Sequence, residues 1–184
     1  MGTKKNITIG IALIVVMTVV GLFMFLPAQL EKQMNQKHVS TLPKISEQAR
    51  ELHSQLFIGD WHSDTLLWKR DLIEKHDYGH MDIPRLQQGN VALQMFTTVT
   101  KSPEGQNYDA NSSEAGDNIT KLAMVSLWPV KTWDSLTERA LFQASKALEA
   151  ADEFPQHVSL ITSKYDLSQF LLQRETNPQL LGML

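Results

Sequence analysis

The sequence contains no cysteine. This absence excludes disulfide bonds, zinc sites built on thiolates, cysteine nucleophiles and anchors attached through a lipidated cysteine. A charge excess is also lacking, because 17 lysines and arginines face 20 aspartates and glutamates, which leaves a formal net charge of −3. Bulk charge therefore gives no indication of a nucleic-acid partner. With 184 residues, 42% of them hydrophobic, the chain is long enough for one ordinary core.

One long uncharged run lies near the N-terminus. Twenty residues from Ile7 to Leu26 carry no charge, and as a helix they would span roughly 30 Å, the thickness of a bilayer core. Lys4 and Lys5 precede the run, and the positive-inside rule then favours a cytoplasmic N-terminus. A cleaved signal peptide is the alternative, but its apolar region is usually about 7–15 residues long.

The chain therefore divides into an anchor and one domain outside the cytoplasm, periplasmic or extracellular. The segment after the anchor is polar and has no strong apolar period, so we interpret it as a stalk. The predicted parts are a cytoplasmic N-terminus, a transmembrane signal anchor, a polar stalk and a folded domain, at residues 1–6, 7–27, 28–41 and 42–184.

Strands and helices alternate along the domain. Apolar spacing and β-branched content predict helices at about 42–56, 119–127, 134–153 and 163–175, and strands at 57–64, 91–99, 158–162 and from about 179. Asp82 with Pro84, and Ser163 with Asp166, have the spacing of helix caps. This alternation predicts an α/β fold with a parallel sheet.

The first predicted strand carries Asp60, His62 and Asp64 at alternate positions. Such side chains share one face of a strand, about 6.5–7 Å apart. His62 and Asp64 could therefore hold one metal ion, and imidazole with carboxylate suits zinc. Asp60, one step deeper, is a candidate to accept a hydrogen bond from a ligand's ring N–H. The alternative is an Asp/His pair that only caps a turn at the strand end.

The other histidines are expected at solvated or boundary positions. His38 falls in the stalk, His53 on a predicted helix, and His157 just before a short strand. One cluster of loop residues could bind a metal: His76, Asp77, His80 and Asp82. We expect these residues to be solvated instead.

Asp60-x-His62 is also how calcineurin-like metallophosphoesterases begin. Those enzymes continue with Gly-Asp-x-x-Asp and Gly-Asn-His blocks. The nearest candidate is the stretch GDNIT, which places Thr120 at the second Asp position and lies far downstream, and no Gly-Asn-His occurs. This alternative therefore has little support.

Two blocks resemble the membrane (renal) dipeptidases, a family of zinc dipeptidases. The stretch GDWHSDTLLW, 59–68, is similar to the family's first metal motif, Asp-Gly-His-x-Asp before an apolar stretch. The stretch HMDIPRLQQGNVALQMFTTV, 80–99, is similar to its His-x-Asp-Ile-Pro-Arg-Leu block and the strand that follows. With the segment SLITSKYDL, the resemblance covers about residues 45–184. Trp61 replaces the usual Gly and Met95 the usual Phe, and neither departure changes a ligand.

The resemblance implies the N-terminal portion of a TIM-like (β/α)8 barrel, with catalytic groups at the carboxyl ends of its strands. It also implies a two-zinc site in which His62 and Asp64 bind the first metal, and hydrolysis of dipeptides by a metal-activated water. The implied partners are a dipeptide substrate, the membrane and a possible second copy in a homodimer.

The family's later ligands have no counterpart in the sequence. In the family a bridging Glu follows the third strand in a Gly-x-Glu-Gly block, and two later histidines bind the second zinc. The stretch QLLGML, 179–184, resembles the start of that third strand. We therefore expect a partial dipeptidase, inactive by itself, with the interior around Leu93, Met95 and Phe96 uncovered. A non-catalytic, membrane-tethered remnant is the alternative.

Overall fold

The computed structural model describes residues 2–36, 41 and 43–184, with side chains from residue 6 onward. The helices are α1 Gly2–Met34, α2 Glu47–Gln55, α3 Ile83–Gln88, α4 Asn118–Val125, α5 Leu136–Glu153 and α6 Lys164–Thr176. The strands are β1 Ile58–Ser63, β2 Val91–Phe96, β3 Val158–Leu160 and β4 Leu181–Met183. Short 3₁₀ helices lie at Thr65–Leu67 and Val130–Thr132.

The four strands form one parallel sheet in the order β1–β2–β4–β3. β4 lies between β2 and β3, because the chain first reaches the sheet edge at β3 and returns inward through α6. The predicted α/β class and parallel sheet are confirmed. β1 is an edge strand and most of its residues are exposed, so its second edge has no strand partner within the described residues.

The inner strand β4 is buried on both faces. Leu181 and Met183 pack into one hydrophobic cluster of the core. Gly182 points to the other face, where a Cβ would lie 2.5 Å from the Leu93 side chain and 2.7 Å from that of Ile161. A larger residue here would require the ends of the Leu93 and Ile161 side chains to move, since real Cβ atoms do not approach so closely.

The interior of the sheet is covered, contrary to the expectation for Leu93, Met95 and Phe96. Leu93 and Phe96 are buried and Met95 is half-buried. Leu93 packs with Phe170 and Leu180. α6 and the turn before β4 thus cover Leu93 in place of the further strands that the expectation required, whereas Phe96 packs in the other cluster, with Leu181 and Met183.

The first predicted helix is shorter than its apolar pattern. Residues 43–46 are not helical, and Ser46 caps α2 by accepting a hydrogen bond from the Ala49 N–H at 3.2 Å. Leu42 lies outside the described residues. The helix buries no residue. The apolar spacing therefore predicted the helix correctly, but no other element packs on its apolar side chains. The large apolar side chains left exposed in and beside α2 are Ile45, Leu52 and Leu56.

Helix α1 contains one candidate membrane-spanning segment, Asn6–Met34, and none of its apolar window is buried against the domain. The helix continues beyond the predicted anchor, so residues 28–34 of the predicted stalk are helical. Glu31 is buried and forms an ion pair with Arg70 at 2.5 Å. This part of the predicted stalk therefore packs on the domain instead of lifting it away. Lys37 and His38 lie outside the described residues.

Candidate metal site at the end of the first strand

His62 and Asp64 come together at the carboxyl end of β1. His62 lies in the strand and Asp64 is the first residue after it. Their side chains are 71% and 46% exposed, and His62 Nε2 lies 3.3 Å from Asp64 Oδ2. Both groups are open to solvent at the carboxyl ends of the strands, which is where parallel α/β folds bind their ligands.

Thr97 holds Asp64 from the neighbouring strand. The Thr97 hydroxyl donates to Asp64 Oδ1 at 2.6 Å, and the Thr97 N–H donates to the Ser63 carbonyl at 2.9 Å. Thr97 directly follows β2. The sequence analysis did not identify Thr97 as a site residue. Its position directly after the second strand could have indicated it, because the carboxyl ends of adjacent parallel strands lie side by side.

The geometry of this pair fits two ligands of one zinc ion. Two atoms bound at about 2.0–2.2 Å in tetrahedral geometry lie about 3.3–3.5 Å apart, and His62 Nε2 and Asp64 Oδ2 are 3.3 Å apart. Imidazole and carboxylate are also the correct donor types. Among the described residues, no group of three or more His, Asp or Glu side chains could hold a metal ion. The same 3.3 Å contact is also a hydrogen bond between the two side chains, and the pair by itself is not a complete metal site.

Asp60 contacts His62 through the main chain. Its Oδ1 accepts a hydrogen bond from the His62 N–H at 3.1 Å, and the Gln94 side-chain amide donates to the Asp60 carbonyl at 3.4 Å. Asp60 thus fixes the backbone at His62, whereas the sequence predicted a bond to the imidazole N–H.

Asp82, in the second predicted cluster, has a structural role. Fully buried, it caps α3 and accepts hydrogen bonds from the Arg85 N–H, the Arg85 guanidinium and the His76 N–H. Burial alone would raise the pKa of Asp82, but these hydrogen bonds outweigh it and hold the pKa below its usual value. The predicted cap is confirmed, and this carboxylate is not available to a metal.

The remaining histidines differ in their distance from the pair. His80 lines one small cavity with Asp64 and another with His62 and Asp60. His53 and His157 are exposed, as expected. His80 therefore shares cavity linings with both residues of the pair.

The metallophosphoesterase alternative loses its second block. Asp117, in the stretch GDNIT, caps α4. Its carboxylate accepts from the Ser102 N–H at 3.0 Å and forms an ion pair with Arg139. This carboxylate is occupied by a cap, a loop N–H and the guanidinium of Arg139 on α5.

Lys146 of α5 holds the 3₁₀ turn that follows the site. Its ammonium donates to the carbonyls of Leu66 at 2.7 Å and Trp68 at 2.9 Å, and lies 5.4 Å and 5.1 Å from the ring centroids of Trp128 and Phe142. Burial lowers the pKa of Lys146 to about 8. The site's loop is thereby fixed to the longest helix of the domain.

A comparison with models of protein families finds no family that matches this chain, and comparisons with curated proteins and with solved structures find no match either.

Proposed function

We propose that this chain belongs to a membrane-anchored zinc dipeptidase and supplies the first two metal ligands of its site. The observation that carries the proposal is the 3.3 Å separation of His62 Nε2 and Asp64 Oδ2 at the carboxyl end of a strand in a parallel sheet. The resemblance of residues 59–68 and 80–99 to the membrane dipeptidases supports the same function.

The architecture is compatible with an N-terminal portion of a (β/α)8 barrel. β1, β2 and β4 are adjacent parallel strands, as the first three strands of such a barrel would be. The exposure of β1 supports this proposal, because in a closed barrel its second edge would pair with the last strand. β3 pairs with β4 at the position that the fourth strand of a barrel would occupy. β3 would therefore have to leave this position when the barrel closes.

The proposed roles follow from the contacts. His62 and Asp64 would hold the metal, Thr97 orients the Asp64 carboxylate, and Asp60 fixes the backbone at His62. Zinc, when bound, lowers the pKa of a water and polarises the substrate carbonyl. The two ligands are exposed, which leaves room for further ligands and for a dipeptide. The proposal requires those further ligands from outside the described residues.

The metal ligands can be tested in the protein as its gene encodes it. We expect His62→Ala and Asp64→Asn each to lower zinc affinity by about 100-fold or more and to remove dipeptide hydrolysis, because each loses a ligand. Asp60→Asn should have a smaller effect of about 10–100-fold, as expected for a residue that acts behind a ligand. Zinc is measured by equilibrium dialysis with metal analysis, and hydrolysis by release of free amino acids.

His53→Ala is the matched control, since this exposed histidine lies on α2, away from the pair. It should bind zinc as the unmodified protein does. Full zinc occupancy in His62→Ala would contradict the ligand assignment.

The orientation of the anchor is a separate proposal: the N-terminus is cytoplasmic and the domain lies outside. A reporter active only outside the cytoplasm, fused after Gln48, should be active because Lys4 and Lys5 stay inside. A reporter active only in the cytoplasm, fused at the same residue, should be inactive. The opposite pattern in well-expressed fusions would refute the orientation.

A non-catalytic, membrane-tethered module is the second candidate, favoured by the lack of a third metal ligand among the described residues. The hydrolysis assay separates the two functions. Protein that binds zinc only weakly and releases no amino acid from any dipeptide would support the tethered module.

A further inference from the structure

A cavity of about 640 Å³ opens beside Asp64 and is not explained by the metal pair. Its volume lies in the range of about 300–1,000 Å³ that small-molecule sites occupy. Because Asp64 belongs to its lining, a molecule in this cavity would lie directly next to the proposed metal. We name it the anchor-side cavity.

One wall of the anchor-side cavity comes from the end of α1. Leu30 and Met34 form this wall, and α4 contributes Leu122 and Val125 opposite. Leu30 follows the apolar run by four residues, about 6 Å along a helix axis. The anchor helix therefore reaches the site itself, and the wall that it builds is apolar.

The lining of the cavity includes two lysines, one of which forms no ion pair within the described part of the chain. Lys101 and Lys121 both line it. Lys121 forms an ion pair with Glu104, whereas Lys101 has no acidic partner among the described residues. An exposed ammonium beside an apolar wall is complementary to a small molecule that carries both a carboxylate and an apolar group.

We propose that the anchor-side cavity binds the C-terminal residue of a dipeptide, with its apolar side chain against Leu30 and Met34 and its carboxylate on Lys101. This inference rests on the proposed function, since a metal held by Asp64 would lie beside the peptide bond of a dipeptide bound in this way. It names the substrate class as dipeptides with a large apolar C-terminal residue. It also makes α1 a determinant of specificity as well as an anchor.

The test measures binding without turnover. The protein as its gene encodes it is placed in nanodiscs and stripped of metal by chelation, and three ligands are titrated calorimetrically: Gly-Leu, Gly-Gly and Gly-leucinamide. We expect Gly-Leu to bind about 10-fold more tightly than Gly-Gly, which lacks the apolar side chain. Gly-leucinamide, which lacks the carboxylate, should bind about 10-fold more weakly than Gly-Leu.

Two variants assign these differences to the proposed contacts. Met34→Ser should remove most of the preference for Gly-Leu over Gly-Gly, and Lys101→Gln should remove the preference for the acid over the amide. The matched controls are Met124→Ser and Lys164→Gln, because both residues are exposed and lie outside the cavity lining. Both controls should retain the two preferences.

The outcomes separate this inference from the proposed function. If none of the three ligands binds, or if Met34→Ser and Lys101→Gln keep both preferences, the inference is wrong even where zinc restores hydrolysis. If the preferences follow the two variants but zinc restores no hydrolysis, the cavity is a binding site for apolar carboxylates and the dipeptidase function is wrong.

Discussion

Replacing Arg139 with alanine should lower the free energy of unfolding of the domain by about 3–5 kcal/mol, as breaking a buried ion pair does. Arg139 lies on α5, is 1% exposed and pairs with Asp117. Alanine would remove the counter-charge of the Asp117 carboxylate and the hydrogen bonds that Arg139 donates to four other buried or half-buried acceptors. Those acceptors are the carbonyls of Thr132 at 2.6 Å, Thr100 at 2.7 Å and Trp133 at 2.6 Å, and the Thr120 hydroxyl at 2.7 Å.

Arg139→Ala should also change how the free energy of unfolding of the domain depends on pH in the acidic range. Burial alone would raise the pKa of Asp117, but hydrogen bonds from the Ser102 N–H and from Arg139 hold it below its usual value. The stability that Asp117 contributes is present above its unfolded pKa of about 3.9 and is lost as pH falls through the lower folded pKa. Without Arg139 the folded pKa rises, and this acid-side loss should become smaller.

Urea unfolding followed by tryptophan fluorescence measures both effects. Arg139→Lys keeps the charge but loses the planar donor fork, so it should recover only part of the stability. Lys131→Ala is the control, because Lys131 is 65% exposed in its pair with Glu138 and should cost less than about 1 kcal/mol. An equally small loss for Arg139→Ala would show that this network does not stabilise the fold.

The local features of the fold were predictable because their causes are local. Asp82 caps α3 and Ser163 caps α6, each through a hydrogen bond to an N–H three residues later, which the spacing indicated. The two strands that carry the resemblance were also found. The order of the sheet was not, since the inward return of β4 depends on contacts between distant segments.

In the candidate site, the neighbouring residues could be predicted from the sequence, whereas the distant ones could not. His62 and Asp64 are two residues apart, and the strand period of two places them together. Thr97 reaches Asp64 from 33 residues away, and Leu30 and Met34 line the same cavity from before the domain. The polar composition of residues 28–41 predicts a stalk, because the partner of the buried Glu31 carboxylate lies far along the chain and no local pattern reveals it.

That partner is Arg70, in the loop after the site. The Arg70 and Glu31 side chains are 3% and 2% exposed, and Arg70 Nε donates to Glu31 Oε1 at 2.5 Å. The same guanidinium donates to the Thr65 hydroxyl at 2.8 Å and to the Met81 carbonyl. Because Thr65 directly follows Asp64, this ion pair joins the anchor helix to the turn beside the candidate site.

Glu31→Ala should therefore lower the free energy of unfolding of the domain by about 3–5 kcal/mol, since it leaves the Arg70 guanidinium buried without a counter-charge. The double variant Glu31→Leu with Arg70→Met should recover part of that loss, because it removes both charges and keeps the apolar volume. Urea unfolding in nanodiscs measures the effect, with Gln33→Ala as the control on an exposed position of the same helix. Equal unfolding midpoints for Glu31→Ala and Gln33→Ala would show that the Glu31–Arg70 ion pair does not couple the anchor helix to the stability of the domain. A loss confined to Glu31→Ala would instead mean that any release of the domain by cleavage after residue 31 also destabilises the turn beside Asp64.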